Sequence, residues 1–285
     1  MSNGDEIRYV DIDLPQNLTH IELYALSDVH YGSRFCDAKL FQRQLDYIVA
    51  TPEAYVILNG DLCESVTRSS VGDVYGQRFT PQEQRDWCIK ALMPIKSKVL
   101  GMTTGNHENR IYKECGVDIS SDIAVALGCY YDPDGVYCVA HFGGGAYFMP
   151  HRKYTYGIYA MHGYGGARTR GAKALKLERM GMHVTADIYI QSHDHEVMTF
   201  PLVFLQPAER QCKVVDGHKT GLMVATSASL VKSNAYLKWN GYARSGGFPP
   251  VDLVTPTIWL GGEVKPWPGM KSPSMEHRPE ARVVS

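Results

Sequence analysis

The chain has 285 residues, 44% hydrophobic and 21% charged, with a formal net charge of -1. This is the composition of an ordinary globular protein, and its charge balance argues against a protein that grips nucleic acid by bulk electrostatics, although a local basic patch is compatible with it. No apolar run nears the length of a membrane span and the polar opening Met1-Ser2-Asn3-Gly4-Asp5-Glu6 has no signal-peptide pattern, so a cytoplasmic protein without membrane contact is expected.

The seven cysteines are scattered and form no C-x-x-C pair, which excludes a zinc ribbon and disfavours a disulfide framework. Ile7 to Asp13 and His20 to Leu26 both alternate in polarity, predicting an opening pair of strands. The second ends in Ser27-Asp28-Val29-His30-Tyr31-Gly32. Residues two apart in an extended chain face one side, so Asp28 and His30 can chelate one transition metal. Asp37 suits the N-cap of a helix whose apolar residues are Leu40, Phe41, Leu45, Ile48 and Val49, stopped by Thr51-Pro52. Tyr55 to Leu58 then read as a buried strand, broken by Asn59-Gly60, which leaves Asp61 at its carboxyl end. Taken alone, Gly60-Asp61 is better read as an Asx turn or helix N-cap closing the strand, and the rest of the chain overturns that reading. The β-α-β order predicts parallel strands, with Asp28 and Asp61 on one edge of the sheet.

Cys63 to Arg78 is polar and long enough to be a rim for a site. Thr80-Pro81-Gln82-Glu83 carries a capping box and starts a helix. Lys98 to Met102 reads as a short strand leading into Gly105-Asn106-His107-Glu108, a string expected by chance in roughly one such chain in a thousand. Asn106 offers a neutral oxygen ligand, and His107 a cation or proton donor beside the metals. A helix is expected between Tyr112 and Gly128, capped by Ser120 or Ser121. Val136, Cys138 and Ala140 alternate as a strand, and Gly143-Gly144-Gly145 lacks the G-K-[ST] of a phosphate-cradling loop, so it reads as a plain loop.

Tyr154 to Met161 predicts a strand delivering His162. The basic stretch Arg168 to Met180 is helical, either as a solvated face or as an attractor for an anionic substrate. Ala186 to Gln191 is a further strand, ending in Ser192-His193-Asp194-His195. Thr199 to Leu205, Cys212 to Val215, Gly221 to Thr226 and Thr255 to Trp259 predict a second antiparallel set. One domain is expected over residues 1–265, followed by a Pro-rich, poorly ordered tail over 266–285.

The order Asp28-x-His30, Gly60-Asp61, Gly105-Asn106-His107-Glu108, His162, then His193-x-His195 resembles the calcineurin-like metallophosphoesterase superfamily. The resemblance covers about residues 20–200. It implies an α/β fold, a four-layer α/β/β/α sandwich of two mixed sheets with metals at one edge. It also implies ligand roles: Asp28, His30 and His195 for a first metal, Asn106, His162 and His193 for a second, and Asp61 bridging both. His107 would contact the phosphate or protonate the leaving oxygen, with Glu108 as its supporting partner. Two departures stand out: Ser192 replaces the usual glycine, and Leu62-Cys63-Glu64-Ser65 lacks the Asp-Arg of the protein serine/threonine phosphatases.

Two cations would neutralise a phosphoester and lower the pKa of a bridging water, so that hydroxide attacks phosphorus in line. Nitrogen and oxygen ligation without thiolate suits two divalent transition-metal ions, Mn foremost, with Fe, Zn, Co or Ni as alternatives. Within this class the expectation is a phosphodiesterase, with nucleases included because Ser27-Asp28-x-His30-x-Gly32 looks like the entry motif of repair nucleases. Phosphomonoesters, nucleotides and dinucleotides are the alternative substrates, and an inactive scaffold of the same fold is the alternative of another class. Arg110, Tyr164 and Arg168 are candidate substrate contacts by motif proximity.

Overall fold

Six consecutive buried residues, Ala54–Asn59, form β3, an inner strand of a five-stranded sheet. In the computed structural model, which describes residues 8–70, 74–143, 154–233, 236–239, 243, 247–261 and 280–284, β3 lies parallel to β2 (His20–Leu26) and β4 (Val99–Thr103). Two antiparallel strands, β10 (Thr257–Gly261) and β11 (Glu280–Val284), extend the β2 edge. The other sheet has six strands in the order β1, β5, β6, β7, β9, β8. These are β1 (Val10–Asp13), β5 (Val136–Phe142), β6 (Tyr154–Met161), β7 (Ile188–Gln191), β8 (Met198–Val215) and β9 (His218–Lys232). Both sheets mix parallel with antiparallel pairs.

The period of two sorts each strand's side chains onto two faces. Leu23, Ala25, Tyr55, Ile57 and Leu100 of one sheet pack with Cys138, Ala140, Ile158, Ile188 and Ile190 of the other in a shared core. Their neighbours Tyr24, Leu26, Val56 and Leu58 turn outward onto Phe41, Leu45, Cys88, Leu92, Ile119 and Ile123, joined by Met102 beyond the register shift of β4. Those residues belong to α1 (Ala38–Ala50), α2 (Pro81–Leu92) and α4 (Ile119–Leu127). On the far side, Leu177 and Met180 of α5 (Arg170–Met180) cover Tyr189 and Leu230. The result is the expected α/β/β/α sandwich.

Local signals act as anticipated at two helices. The Asp37 side chain accepts the Leu40 N–H, 3.0 Å, and Thr80 and Glu83 close a reciprocal capping box. Elsewhere the structure differs. The opening strands do not pair: β1 lies parallel to β5, and β2 is buried within the other sheet. Pattern reports which face is apolar, not which strand lies alongside. The helix expected between Tyr112 and Gly128 is two helices. Gly116, at φ 73°, ends α3 (Asn106–Cys115), and Asp118 rather than Ser120 or Ser121 caps α4 by accepting the Ser121 N–H. The segments over 199–226 merge into the long hairpin β8–β9, turning at Asp216-Gly217 with both residues at positive φ. Gly144 and Gly145, and positions 266–279 and 285 of the expected tail, lie outside the described residues, whereas Glu280–Val284 forms β11.

Candidate metal centre

Strands β2, β3 and β4 of one sheet and β6 and β7 of the other bring their carboxyl ends to one edge, and a chain of buried polar groups ties the two sheets there. Asn59 donates its amide N–H to the Met161 carbonyl, 3.0 Å, and to Ser192 Oγ, 2.7 Å, while accepting from Thr103 Oγ1, 3.1 Å. Ser192 Oγ lies 2.6 Å from Ser233 Oγ, which in turn lies 2.8 Å from Ser27 Oγ. Ser27 donates to Asp28 Oδ2 at 2.8 Å. All but the last of these contacts join residues distant in sequence, so the edge is held at several points at once.

Backbone conformation supplies the second constraint. Asp28, His30, Asp61, His193 and His195 all have φ between 50° and 71°, a region that side-chain-bearing residues rarely occupy. Asp-x-His and His-x-His therefore converge through left-handed turns, not through the extended geometry expected of them. Strain of this kind persists only where surrounding contacts over-determine it and is concentrated at functional sites. Gly60, at φ 78°, meets the backbone of Thr104-Gly105, and a Cβ on Gly105 would overlap the Asp61 carboxylate and nitrogen. These two glycines let the β3 and β4 ends touch.

Asp61 divides its two oxygens. Oδ1 accepts the His107 N–H, 2.8 Å. Oδ2 lies 3.1 Å from His162 Nε2 and 3.9 Å from both His30 Nε2 and His107 Nε2. His162 Nδ1 donates to the Asn59 carbonyl, 2.7 Å, which turns Nε2 toward Asp61 and the Asn106 side-chain oxygen, 3.3 Å away. Asp28 Oδ2 accepts from Ser27 and from the His193 N–H, whereas its Oδ1 is buried without a hydrogen-bond partner, 3.2 Å from His195 Nε2. His30 Nε2 and His195 Nε2 are 3.3 Å apart.

The donors therefore fall into two sets meeting near Asp61: Asp28, His30 and His195 in one, and Asp61, His162 and His193 in the other, the ligand atoms of each within 4.8 Å of one another. Asn106 adjoins the second. An orphaned carboxylate oxygen and clustered imidazole nitrogens are a chemically suitable cradle for divalent cations. Charge tells the same story. Burial works against ionising Asp61, yet His162, His107 and His30 outweigh it and hold the carboxyl well below its ordinary range. The same opposition, won chiefly by His195, lowers Asp28. Burial opposes the imidazolium of His162 and His30 too, but Asp61 lifts the first to about 10 and Glu64 the second to about 9. Asp61 and Glu64 thus hold protons on His162 and His30, and a cation pair would replace those protons.

Supporting residues differ from expectation. Glu108 does not bond to His107; it is buried and accepts the backbone N–H groups of Asp61, Cys63 and Gly105 at 3.0, 2.8 and 3.2 Å, bracing the Asp61 turn. The imidazole of His107 is oriented by Glu64, whose carbonyl accepts from Nδ1 at 2.7 Å, and burial pushes its pKa down to about 4. The Glu64 carboxylate also lies 3.0 Å from His30 Nδ1, and His30, Glu64 and His107 form a third donor cluster. Sequence reading missed Glu64, which sits three residues after Asp61 in the loop read only as a rim. Glu64 and Gly76 of that loop do line the cavity. Of the substrate candidates, Arg110 lines it, with Nη2 3.1 Å from His107 Nε2. Tyr164 and Arg168 are exposed and off the lining; Lys176 lies over the Tyr164 ring and Arg168 over Phe248.

No helix of the described residues is long and apolar enough to cross a membrane. No family model and no curated protein matches the chain. Solved structures to which it is similar include Vacuolar Protein Sorting 29 of Cryptosporidium parvum, 14% identical over 86% of this chain and 88% of that one, with a TM-score of 0.40. A predicted phosphoesterase of Streptococcus pneumoniae TIGR4 is 11% identical over 93% and 99%, with a TM-score of 0.36. A zinc complex of the vacuolar sorting protein of Entamoeba histolytica is 12% identical over 93% and 98%, with a TM-score of 0.28.

Proposed function

We propose that the chain is a metal-dependent phosphoesterase that binds two divalent transition-metal ions, with phosphodiesters as its preferred substrates and manganese as its preferred metal. The observation that carries this reading is Asp61 Oδ2, buried between two clusters of donors, 3.1 Å from His162 Nε2 and 3.9 Å from His30 Nε2. In this reading Asp28, His30 and His195 would hold one ion and Asn106, His162 and His193 the other, with Asp61 available to both. When bound, such a pair neutralises the phosphoryl oxygens and makes a water nucleophilic near neutral pH.

The rest falls to the chain's own groups. Glu108 holds the Asp61 turn through three backbone N–H groups, and Asn59 fixes the His162 tautomer. Glu64 holds Nδ1 of His107, so Nε2 is the atom that meets the substrate. An anionic ester beside it favours the imidazolium, which then donates the Nε2 proton to the departing alkoxide. Arg110, in contact with that ring, adds a fixed positive charge on the same side. The carboxylates act as ligands and no side chain serves as nucleophile, so the reaction is direct hydrolysis with inversion at phosphorus.

The test is hydrolysis of bis-p-nitrophenyl phosphate in manganese buffer by the wild type and by Asp61→Ala and His107→Ala. Wild-type turnover with a loss of at least about a hundredfold in both variants is expected, in line with removal of groups that act at the reacting centre. Equal activity in all three proteins would refute the assignment.

A further inference from the structure

The cavity above the donor clusters is about 540 Å³ and is not lined by metal-binding groups alone. Phe35, Leu237, Trp239, Phe248, Pro249 and Val251 line it as well. Trp239 is 48% exposed, a large ring left half in water on the wall of a concave site. It is nonetheless oriented, because its indole N–H donates to the Phe248 carbonyl at 3.0 Å. The wall is also tied to the donors by main chain. Tyr236 N–H donates to the Asp28 carbonyl, 3.1 Å, Asp37 N–H to that of Tyr236, 2.7 Å, and Lys238 N–H to that of Phe35, 3.0 Å, while Cys36 and Leu237 bridge as in a sheet. Two cations flank the rings: the guanidinium carbons of Arg34 and Arg168 lie 5.1 and 5.8 Å from the centroids of Phe35 and Phe248.

We propose that this wall is a stacking subsite and that the substrate is a nucleotide-sized phosphoester, its phosphate at the donor clusters and its planar base against Trp239, Phe248 and Phe35. The phosphate end rests on the function proposed above; the base end stands on the wall alone. A cavity of this size lies within the span of small-molecule sites, about 300–1,000 Å³, and aromatic rings accept any base by its π-face. A simple alkyl phosphate would leave the rings in water. A long strand fits less well, because it needs a track of unpaired cations, whereas the chain carries a net charge of -1 and Lys238 on this wall already pairs with Asp37 at 3.0 Å.

Adenosine 5′-monophosphate and ribose 5-phosphate share one phosphate and differ in the base, so their dissociation constants for the metal-loaded protein, measured by titration calorimetry, isolate the wall. The nucleotide should bind wild type at least about tenfold more tightly, within the range for stacking one base on an aromatic side chain. Trp239→Ala should erase that difference while moving the ribose 5-phosphate constant less than about twofold, and Trp239→Phe should keep most of it. Equal constants for the two ligands in wild type, or equal weakening of both in Trp239→Ala, would overturn the proposal. So would an oligonucleotide that outcompetes the mononucleotide with steep salt dependence, which would assign the wall to a polymer. A base preference in a protein that hydrolyses no phosphoester would sink the function but not the subsite. Turnover of bis-p-nitrophenyl phosphate without a base preference would sink the subsite alone.

Discussion

Asp61 is braced on three sides. Its N–H is taken by Glu108, one oxygen by the His107 amide, and the other oxygen faces imidazoles. Asp61→Asn keeps the shape and the Oδ1 bond but removes the charge that two cations would share. The variant should keep the wild-type unfolding midpoint within a few degrees, bind fewer than two manganese ions per chain by elemental analysis, and lose activity by at least about a hundredfold; full metal loading would argue against a bridging role. A second residue-scale expectation concerns Asp194, between the two histidines. Its oxygens are held by Lys232 at 2.5 Å and Lys176 at 2.9 Å, with Lys232 buried and also bonded to Gln191 at 2.6 Å. Lys232→Met breaks a buried pair and should cost about 3 kcal/mol in urea unfolding, whereas an unchanged midpoint would mean that Lys176 alone suffices. The donors themselves were legible in the sequence because only a few residue types can ligate a metal, and they stood at the ends of apolar runs. Glu64, Asn59, Ser27, Ser192 and Ser233 were not. They are common polar residues without telling spacing, and their roles arise from contacts between strands far apart in the chain.

Elements that announce themselves do so through local hydrogen bonds. Asp37 and the Thr80–Glu83 box are complete within four residues, and both helices start where those signals stand. Thr80→Ala should lower stability by about 1 kcal/mol, read as a shift of the unfolding midpoint with activity unchanged. Helix α3 was hidden because its first turn is the ligand string itself, Asn106-His107-Glu108, which reads as chemistry before it reads as helix. Asp216-Gly217 carried a hairpin signal that was overlooked, since Cys212 to Val215 and Gly221 to Thr226 look like separate short strands. At the β3–β4 contact, a methyl group on Gly105 has nowhere to go but into Asp61. Gly105→Ala should therefore abolish activity and reduce metal content while circular dichroism stays near that of the wild type; retained activity would show that the two strand ends can part without harm.

At the scale of the whole molecule, the two sheets share one core and meet at one polar edge. The β-α-β order made parallel strands readable, and the layered class came from the resemblance carried by the ligand motifs. Neither could reveal that β10 crosses back to pair with β2, because such pairing is set by which edge is left open after the rest has folded. Sandwich and edge together explain how donors spread from Asp28 to His195 come within contact distance. The central claim is that this edge holds two cations sharing Asp61. Anomalous X-ray scattering from crystals grown with manganese tests it most directly. Two peaks about 3.5–4 Å apart, the spacing of two-metal sites, on either side of the Asp61 carboxylate are the predicted result; a single peak, or peaks that Asp61 does not touch, would contradict it.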